Sequence, residues 1–222
     1  MSDSSNKFAE GICFYKLFWI LILFSIFGSL FEKIQYFIVH YFRDGSILWP
    51  SRTAVIYGQF NMIYGFGTVL FLIFLNSNKN NNLLVFLKAG FIGGFFEYVI
   101  SFLLEVFIGT SSWNYGNKFL NINGRTTIPI MIFWGFLGLI FIKIIYPFLS
   151  DYIEKIPNKI GHLLSIFLLV FLIFDMTISW TALFRQNLRR KGVKPFTLVG
   201  EFYDKVYTDD YLKKVYPNMV RK

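Results

Sequence analysis

Five apolar stretches, each long enough to cross a lipid bilayer, constrain this sequence more than any other feature. They cover residues 15–39, 59–75, 83–108, 128–149 and 161–183. A helix rises about 1.5 Å per residue, so about 20 apolar residues cross the roughly 30 Å of bilayer hydrocarbon. The stretches predict an all-α fold, a polytopic membrane helix bundle of about five transmembrane helices, with six as the alternative count.

The segment between the first two stretches is too interrupted for a stable crossing. Residues 46–58 are half apolar and contain the pair Trp49-Pro50 followed by Arg52. Proline breaks a helix, and unpaired backbone groups are costly in lipid. We therefore expect a re-entrant or interfacial segment after the first helix. The first stretch runs about 25 residues, too long for the apolar core of a signal peptide, and we expect it to remain as a helix.

Composition agrees with a membrane protein and narrows its partners. The chain is 55% hydrophobic and 21% aromatic, and its formal net charge is +9. Contact with anionic lipid explains this basic charge better than nucleic acid does, because the Lys and Arg residues concentrate in loops and in the tail. The sequence has no G-x-x-x-x-G-K-[ST] phosphate loop, and its single cysteine, Cys13, has no metal-ligand pattern around it.

The domain organisation predicted is a transmembrane bundle over residues 1–183 and a basic tail over 184–222. An odd number of spans places the tail on the side of the first and third loops, and this side carries more Lys and Arg near the spans. The charge bias predicts a cytoplasmic tail in a multi-pass protein of the bacterial cytoplasmic membrane. In the tail, Val199, Phe202, Val206 and Leu212 recur at about helical spacing, which favours a short amphipathic helix on lipid or on neighbouring loops.

Four acidic residues lie inside the apolar stretches: Glu32, Glu97, Glu105 and Asp175. An ionised carboxylate near the middle of a transmembrane helix costs about 2.5–3.5 kcal/mol, so it normally faces a bundle interior or a wet cavity. The alternating directions of the helices place all four in the half of the membrane next to the tail. Glu97, Ser101 and Glu105 follow one another at intervals of four and share approximately one helical face.

The starts of the second and fourth helices and the first loop add polar residues to the same half of the membrane. The residues expected to bind a substrate or line its pathway are Glu32, Arg52, Tyr57, Asn61, Tyr64, Glu97, Glu105, Asn123, Arg125 and Asp175. Arg52 and Arg125 can pair with the carboxylates in a structural network, or they can face a cavity and hold an anionic substrate. The residues leave both readings open.

Several motifs in order along the chain resemble one known family. They are Phe27-Gly28-Ser29-Leu30-Phe31-Glu32, Arg52 leading to Tyr57-Gly58, Ile63-Tyr64-Gly65-Phe66-Gly67, Phe96-Glu97-Tyr98 with Leu104-Glu105, Trp113-Asn114-Tyr115, Asn121 to Arg125 leading to Phe133-Trp134-Gly135, and Asp175 before the basic run 185–190. This pattern, over about residues 14–190, resembles the bacterial ABC-transporter type IV membrane proteins, also called CmpB-like. The resemblance implies a permease whose ATPase is a separate chain.

Three functions are compatible with these features. The first is a transporter or permease subunit whose carboxylates line a path for a cation, a proton or an amine-bearing solute. The second is an intramembrane enzyme acting on a lipid or lipid-linked phosphate, in which Arg52 and Arg125 grip phosphate and Glu97 or Glu105 acts as base, with a divalent cation such as Mg²⁺. The third is a non-catalytic assembly partner.

We rank transport first and assign no catalytic residue and no cofactor. The expected partners are the lipid bilayer, a separate ATPase subunit and further copies of the chain, and nucleic acid is not expected.

Overall fold

The structure is a computed structural model and describes residues 7–221 of the chain. Its α-helices are α1 (Phe14–Asp44), α2 (Met62–Leu75), α3 (Asn82–Leu103), α4 (Ile128–Ile140), α5 (Tyr146–Glu154), α6 (Asn158–Arg190), α7 (Leu198–Val206) and α8 (Asp209–Val215). Leu104–Ile108 extends α3 by a π-helical turn, Phe141–Ile145 joins α4 to α5 in the same way, and Asn76–Asn78 is a 3₁₀ turn after α2. Two antiparallel pairs complete the fold: β1 (Thr110–Ser111) with β4 (Val220–Arg221), and β2 (Asn121–Ile122) with β3 (Thr126–Thr127).

Four helical stretches in the described residues are long and apolar enough to cross a membrane. They are Phe14–Asp44, Asn82–Ile108, Ile128–Glu154 and Asn158–Arg190. A fifth apolar helix, Met62–Asn78, is shorter. The all-α membrane bundle predicted from the sequence is confirmed, but the second helix begins at Met62 rather than at residue 59. Its 14 α-helical residues cover only about 21 Å. The segment before α2 therefore has to cover the rest of the distance across the bilayer.

The segment between α1 and α2 has no regular secondary structure and packs inside the protein. Val55 is 1% exposed and Ile56 is 9% exposed. The backbone N–H of Ile56 donates to the Ser179 hydroxyl at 2.8 Å, and the N–H of Tyr57 donates to Asp175 Oδ1 at 3.0 Å. Non-helical backbone is tolerated at membrane depth only where protein or a wet cavity satisfies it, and here α6 supplies the acceptors.

Helices α1 and α2 form one close-packed hairpin, and α3 and α4 form a second hairpin built on the same contacts. In each hairpin the first helix offers a glycine to an aromatic ring, and the second helix offers a glycine to a backbone carbonyl. The contacts are Gly28 with Tyr64 and Gly65 with the Leu21 carbonyl in the first hairpin, and Gly93 with Trp134 and Gly135 with the Phe86 carbonyl in the second. Both hairpins therefore have the same helix register.

The residues around these contacts also correspond between the two hairpins. Phe31-Glu32 lies in the same position relative to its glycine as Phe96-Glu97 does in the second hairpin. Tyr64-Gly65-Phe66 corresponds in the same way to Trp134-Gly135-Phe136. A glycine in the left-handed conformation follows both α1 and the π-helical turn that extends α3: Gly45 at φ 71° and Gly109 at φ 67°. The two hairpins are thus an internal repeat, which the sequence analysis did not find.

The main apolar core lies at the end of the bundle opposite the acidic residues. It includes Ile20 of α1, Leu72 and Leu75 of α2, Val85 of α3 and Ile153 of α5, all at most 2% exposed. Buried apolar side chains of this kind pack at the density of a protein interior. The tail end of the bundle is built differently, from polar groups around a cavity.

The tail folds back onto the bundle as two short helices instead of one. Tyr203 and Tyr207 pack against Leu104 and Leu183 of the transmembrane helices. Thr208 caps α8 by accepting a hydrogen bond from the Tyr211 N–H. Of the four apolar tail residues singled out in the sequence, Leu212 is buried in this contact. The other three, Val199, Phe202 and Val206, are exposed on the outer side of α7.

Candidate functional site

A cavity of about 560 Å³ lies between the two hairpins at the tail end of the bundle. The first hairpin contributes Glu32, Asn61 and Tyr64 to its wall, and the second contributes Glu97 and Trp134. The internal repeat explains why the two carboxylates share the cavity, because Glu32 and Glu97 are equivalent positions in the two hairpins. Five of the ten site residues predicted from the sequence line this cavity: Glu32, Arg52, Asn61, Tyr64 and Glu97.

Glu32 is held by groups at the start of α2. Asn61 Nδ2 donates to Glu32 Oε1 at 3.1 Å, and the Tyr64 hydroxyl is within hydrogen-bonding reach of the same carboxylate. The backbone N–H of Asn61 donates to the Ser25 carbonyl at 2.8 Å, which fixes the start of α2 against α1. The carboxylate therefore has a defined position on the cavity wall.

Glu97 is held by the loop that leads into α4. The Tyr115 hydroxyl donates to Glu97 Oε1 at 3.0 Å, and the Thr126 hydroxyl donates to Oε2 at 2.8 Å. Thr126 lies on β3, and the turn between β2 and β3 has positive φ at Asn123 (51°) and Gly124 (68°). Successive positive φ values at an Asn-Gly pair are typical of the tight turn that joins antiparallel strands. This small hairpin places the Thr126 hydroxyl over Glu97.

Tyr115 was not among the predicted site residues, although it belongs to a motif that carries the family resemblance. It lies in the loop between α3 and α4 and lines the cavity. Burial, followed by the nearby charge of Glu97, raises the pKa of Tyr115 above its ordinary value. The hydroxyl therefore stays protonated at neutral pH and acts as a donor to the carboxylate.

Arg52 lies on the cavity wall at the side of α1. Its guanidinium stacks over the Tyr36 ring, with 4.3 Å between Cζ and the ring centroid. The Nε of Arg52 has no hydrogen-bond partner among the described residues, and Arg52 is close enough to Glu32 to stabilise its negative charge. Arg52 is thus held by an aromatic face, and its charge lies near Glu32 on the cavity wall.

Glu105, Asn123 and Arg125 lie together outside the cavity wall. Arg125 Nη2 and Glu105 Oε2 form an ion pair at 2.6 Å, and the guanidinium also lies beside the Tyr98 ring. Asn123 Nδ2 donates to the Tyr98 hydroxyl at 3.0 Å.

Glu97 and Glu105 therefore do not share a site. Eight residues of α-helix already turn a side chain about 80° past two full turns. The π-helical turn that begins at Leu104 alters the rotation further, so Glu105 leaves the face that carries Glu97.

Asp175 and Tyr57 also lie outside the cavity wall. Asp175 is fully buried and accepts hydrogen bonds from the Tyr57 N–H and from the Ser179 hydroxyl at 3.2 Å. The Tyr57 and Tyr207 hydroxyls are 3.0 Å apart. These contacts fasten the loop between α1 and α2 to α6 and to the tail.

The end of the tail contributes a wall of the cavity that no sequence signal indicated. Residues 216–219 line the cavity beside Trp113 and Trp180. The pairing of β4 with β1 joins this part of the tail to the loop after α3. The path of a tail over the surface depends on such long-range contacts, and the spacing of apolar residues does not encode it.

No group of three or more His, Cys, Asp and Glu side chains in the described part of the chain has an arrangement that could hold a metal ion. His40 lines the cavity, but its Nδ1 is 2.8 Å from the Tyr36 carbonyl on the preceding helical turn. The oxygen ligands that a divalent cation prefers come here from two carboxylates already engaged with hydroxyl and amide donors.

Comparison with known protein families shows to which family the chain belongs. The family described as "Putative ABC-transporter type IV" matches residues 19–180, most of the chain, and the match includes Glu32, Arg52, Asn61, Tyr64 and Glu97 of the cavity wall. The chain belongs to this family. No curated protein and no solved structure shows a significant match to it. Family membership and the apolar helices together make the chain a multi-pass, transporter-like protein of a lipid bilayer.

Proposed function

We propose that this chain is the membrane-embedded subunit of a transporter in the bacterial cytoplasmic membrane and that it moves a cationic solute through the cavity between its two hairpins. The observation that carries the proposal is the position of Glu32 and Glu97. The two carboxylates come from equivalent places in two separately packed hairpins and line one cavity.

The electrostatics of the cavity favour a cation. Each carboxylate placed at membrane depth costs about 2.5–3.5 kcal/mol, and hydrogen bonds from Asn61, Tyr115 and Thr126 offset part of this cost without neutralising the charge. A positively charged solute removes more of it, because Coulomb energies are larger where water is excluded. Carboxylates at membrane depth are commonly found on the pathways of ions and protons.

The arrangement of the helices supports transport as well. The hairpins pack tightly within themselves and more loosely against each other, with the cavity between them. In secondary transporters with parallel repeats, the substrate site lies at the interface of the repeats, and access alternates as one repeat rocks against the other. We propose that the same movement opens and closes this cavity.

The energy source belongs to another chain. The sequence contains no phosphate-binding loop, so a transporter of the ABC type needs a separate ATPase subunit. Association with such an ATPase and with further copies of this chain forms part of the proposal, as does the cytoplasmic position of the tail.

Arg52 is the observation that favours the second candidate, an enzyme acting on a lipid or lipid-linked phosphate. Arg52 lines the cavity, and its buried Nε has no hydrogen-bond partner among the described residues. The second arginine expected to grip phosphate, Arg125, is instead paired with Glu105 outside the cavity. A single arginine facing two carboxylates disfavours an anionic substrate, which is why transport of a cation ranks first.

The test of the proposed function is ion flux, with and without ATP, in everted membrane vesicles from cells that contain the chain with its native partners, compared with vesicles from the same cells after deletion of the chain. Three probes cover the cation classes: protons, rubidium ions and methylammonium. We expect faster flux of at least one probe than in vesicles without the chain, and we expect Glu97→Gln to abolish this difference. Glu201→Gln, an exposed position on α7, is the matched control and should behave as the original sequence does.

The amount of protein in the membrane and its elution from a sizing column show whether each variant folds. The proposal is wrong if none of the three probes crosses faster than in the control vesicles. It is also wrong if a well-folded Glu97→Gln variant keeps the full flux. Identification of a P-loop ATPase by mass spectrometry after gentle purification tests the partner.

A further inference from the structure

An open groove of about 520 Å³ lies on the outside of the bundle, between the end of α3 and α6. Its wall consists of Leu103, Phe107, Ile108, Trp180, Thr181 and Phe184. The Thr181 hydroxyl donates to the Thr177 carbonyl on the preceding turn at 2.7 Å, so its only donor is already used. The groove therefore offers mainly apolar contacts.

The groove lies at the tail-side end of the membrane-spanning stretches. Phe107 and Ile108 close the stretch 83–108, and Trp180 and Thr181 belong to the last turn of the stretch 161–183. Phe107 is 55% exposed and Phe184 is 49% exposed. Side chains exposed at this depth meet lipid chains rather than water. The groove thus faces the leaflet on the side of the tail.

One layer of side chains separates this groove from the cavity between the hairpins. Trp180 belongs to the walls of both. On the α3 side, Leu104 lines the cavity and Leu103 lines the groove. On α6, Leu183 lines the cavity and Phe184 lines the groove. The two spaces therefore adjoin along the seam between α3 and α6.

The seam is formed by irregular backbone and by a weak hydrogen bond. Leu104–Ile108, which contacts α6, is a π-helical turn, and turns of this kind occur frequently at functional sites. On the tail side of the groove, Asn187 Nδ2 donates to the Phe107 carbonyl at 3.4 Å, a long hydrogen bond. Separation of α3 and α6 at this level breaks this long bond at little cost.

The groove and the cavity together match a solute with two unlike ends. The cavity has the carboxylates of Glu32 and Glu97 on its wall, whereas the groove is apolar and faces lipid. An amphiphile in the tail-side leaflet already has its head at the membrane surface and its chain among the lipid chains. Such a molecule can move its head through the seam while its chain stays in an apolar environment.

We propose that the solute is a cationic amphiphile that enters the cavity from the tail-side leaflet through the seam between α3 and α6. Its head lies beside Glu32 and Glu97, its alkyl chain lies in the groove, and Trp180 closes the seam when no solute is bound. This proposal names the solute for the transport function proposed above and rests on that function for the charge of the head and for its passage.

The test is photo-crosslinking to the purified full chain in nanodiscs of phosphatidylcholine. Two probes have the same dodecyl chain with a diazirine near its end, and they carry either a trimethylammonium head or a hydroxyl head. Mass spectrometry of peptides compares labelling of the groove with labelling of exposed reference positions, Phe91 and Phe167. Relative to these positions, the cationic probe should label the groove at least about tenfold more than the hydroxyl probe, because a tenfold preference needs only about 1.4 kcal/mol.

Two pairs of variants assign this excess labelling to residues. Thr181→Phe fills the groove and should abolish the excess. Thr177→Phe is its matched control, since Thr177 lies one turn earlier on α6, is exposed, and belongs to neither wall. Glu97→Gln should reduce the excess, whereas Glu201→Gln should not. The comparison of the two probes on the unaltered chain needs no variant and is decisive by itself.

Equal labelling of the groove by both probes would show that ordinary lipid chains cover it and would overturn the proposal. Excess labelling that persists in a well-folded Thr181→Phe variant would overturn it too. Flux measurements keep this result distinct from the proposed function. Excess labelling without any flux refutes transport and leaves the amphiphile site standing. Glu97-dependent flux of protons or rubidium with equal labelling refutes the amphiphile and leaves transport standing.

Discussion

At the scale of single residues, Asp175 and Glu97 show that an acidic side chain in an apolar helix can have two different roles. Asp175 is fully buried and accepts a hydrogen bond from the Tyr57 backbone N–H, in the segment between α1 and α2. Glu97 faces a cavity and accepts hydrogen bonds from the side chains of Tyr115 and Thr126, in the segment that leads into α4. The first carboxylate replaces a missing backbone acceptor, whereas the second offers charge to whatever enters the cavity.

We predict that Asp175→Ala lowers the stability of the protein by about 1–3 kcal/mol, because it leaves the Tyr57 N–H without its acceptor. Asp175→Asn is the matched variant, since it keeps the Oδ1 atom that accepts this bond, and it should lose less. The stability of both variants is measured as the midpoint of thermal unfolding, which is monitored by size-exclusion chromatography in detergent. An unchanged midpoint for Asp175→Ala would show that the loop is held by other contacts.

At the scale of secondary-structure elements, glycines within each hairpin allow the backbones of its two helices to come into contact. A methyl group added at Gly65 would lie 2.5 Å from the Leu21 carbonyl oxygen, and one at Gly90 would lie 2.7 Å from the Met131 carbonyl oxygen. A backbone carbonyl cannot move aside as a flexible side chain can. Small residues at such positions permit the close approach on which helix packing in membranes depends.

Gly65→Ala and Gly90→Ala should each destabilise the protein by about 1–3 kcal/mol through overpacking. Gly67→Ala is the control on the same helix as Gly65, because its added methyl group meets only the Phe96 ring at 3.6 Å, an ordinary contact. Alanine is also the better helix former, so Gly67→Ala should be neutral or slightly stabilising. Thermal unfolding of the three variants is measured in the same detergent. A similar loss of stability at all three positions would contradict the contacts described.

The helices could be predicted from the sequence because runs of about 20 apolar residues leave few alternatives in a membrane. Their alternating directions also brought Glu32 and Glu97 to the same half of the bilayer. The rotation of each helix about its own axis could not be predicted in this way. Glu105 was therefore expected to share a site with Glu97. Tyr115 escaped the prediction because a loop side chain is placed by long-range contacts such as the bond to Glu97.

The internal repeat escaped the sequence analysis because very few identical residues carry it. Gly28 and Gly93 correspond, but their aromatic neighbours, Tyr64 and Trp134, are different residue types. Only the contacts between the helices reveal that these positions are equivalent.

At the scale of the whole molecule, the tail joins the two hairpins to α6. The Arg185 side chain, 7% exposed, binds both oxygens of Asp204 at 2.8 and 2.7 Å. Arg189 binds Asp204 at 2.7 Å and Asp209 at 2.8 Å. Bidentate pairs of this kind are stronger than ordinary surface ion pairs. They hold α7 and α8 on the bundle and keep the end of the tail in the cavity wall.

We predict that Asp204→Asn weakens tail docking, because it removes the charge that both arginines share. Hydrogen exchange of residues 198–215 should become faster, by a factor corresponding to about 1.5–3 kcal/mol, whereas exchange in the transmembrane helices should not change. Asp210→Asn, which removes the same charge at an exposed position directly after Asp209, is the control. The same exchange rate in both variants would show that Asp204 does not hold the tail.

Acid should have a similar effect. The hydrogen bonds from Arg185, followed by those from Arg189, hold the pKa of Asp204 below its ordinary value. A carboxyl group whose pKa is lower in the docked state stabilises docking above its undocked pKa of about 4, and this contribution is lost as the pH falls through the docked pKa. Tail protection should therefore be constant from pH 7 to about 5 and decrease below about 4.

The repeated hairpin also affects how experiments on this protein can be interpreted. In a transporter assembled from two identical chains, every substitution alters both halves at once. Here the two equivalent carboxylates, Glu32 and Glu97, belong to one polypeptide and can be changed separately. Each half thus serves as the reference for the other, and the two halves can differ at equivalent positions, as they do at Asn61 and Met131.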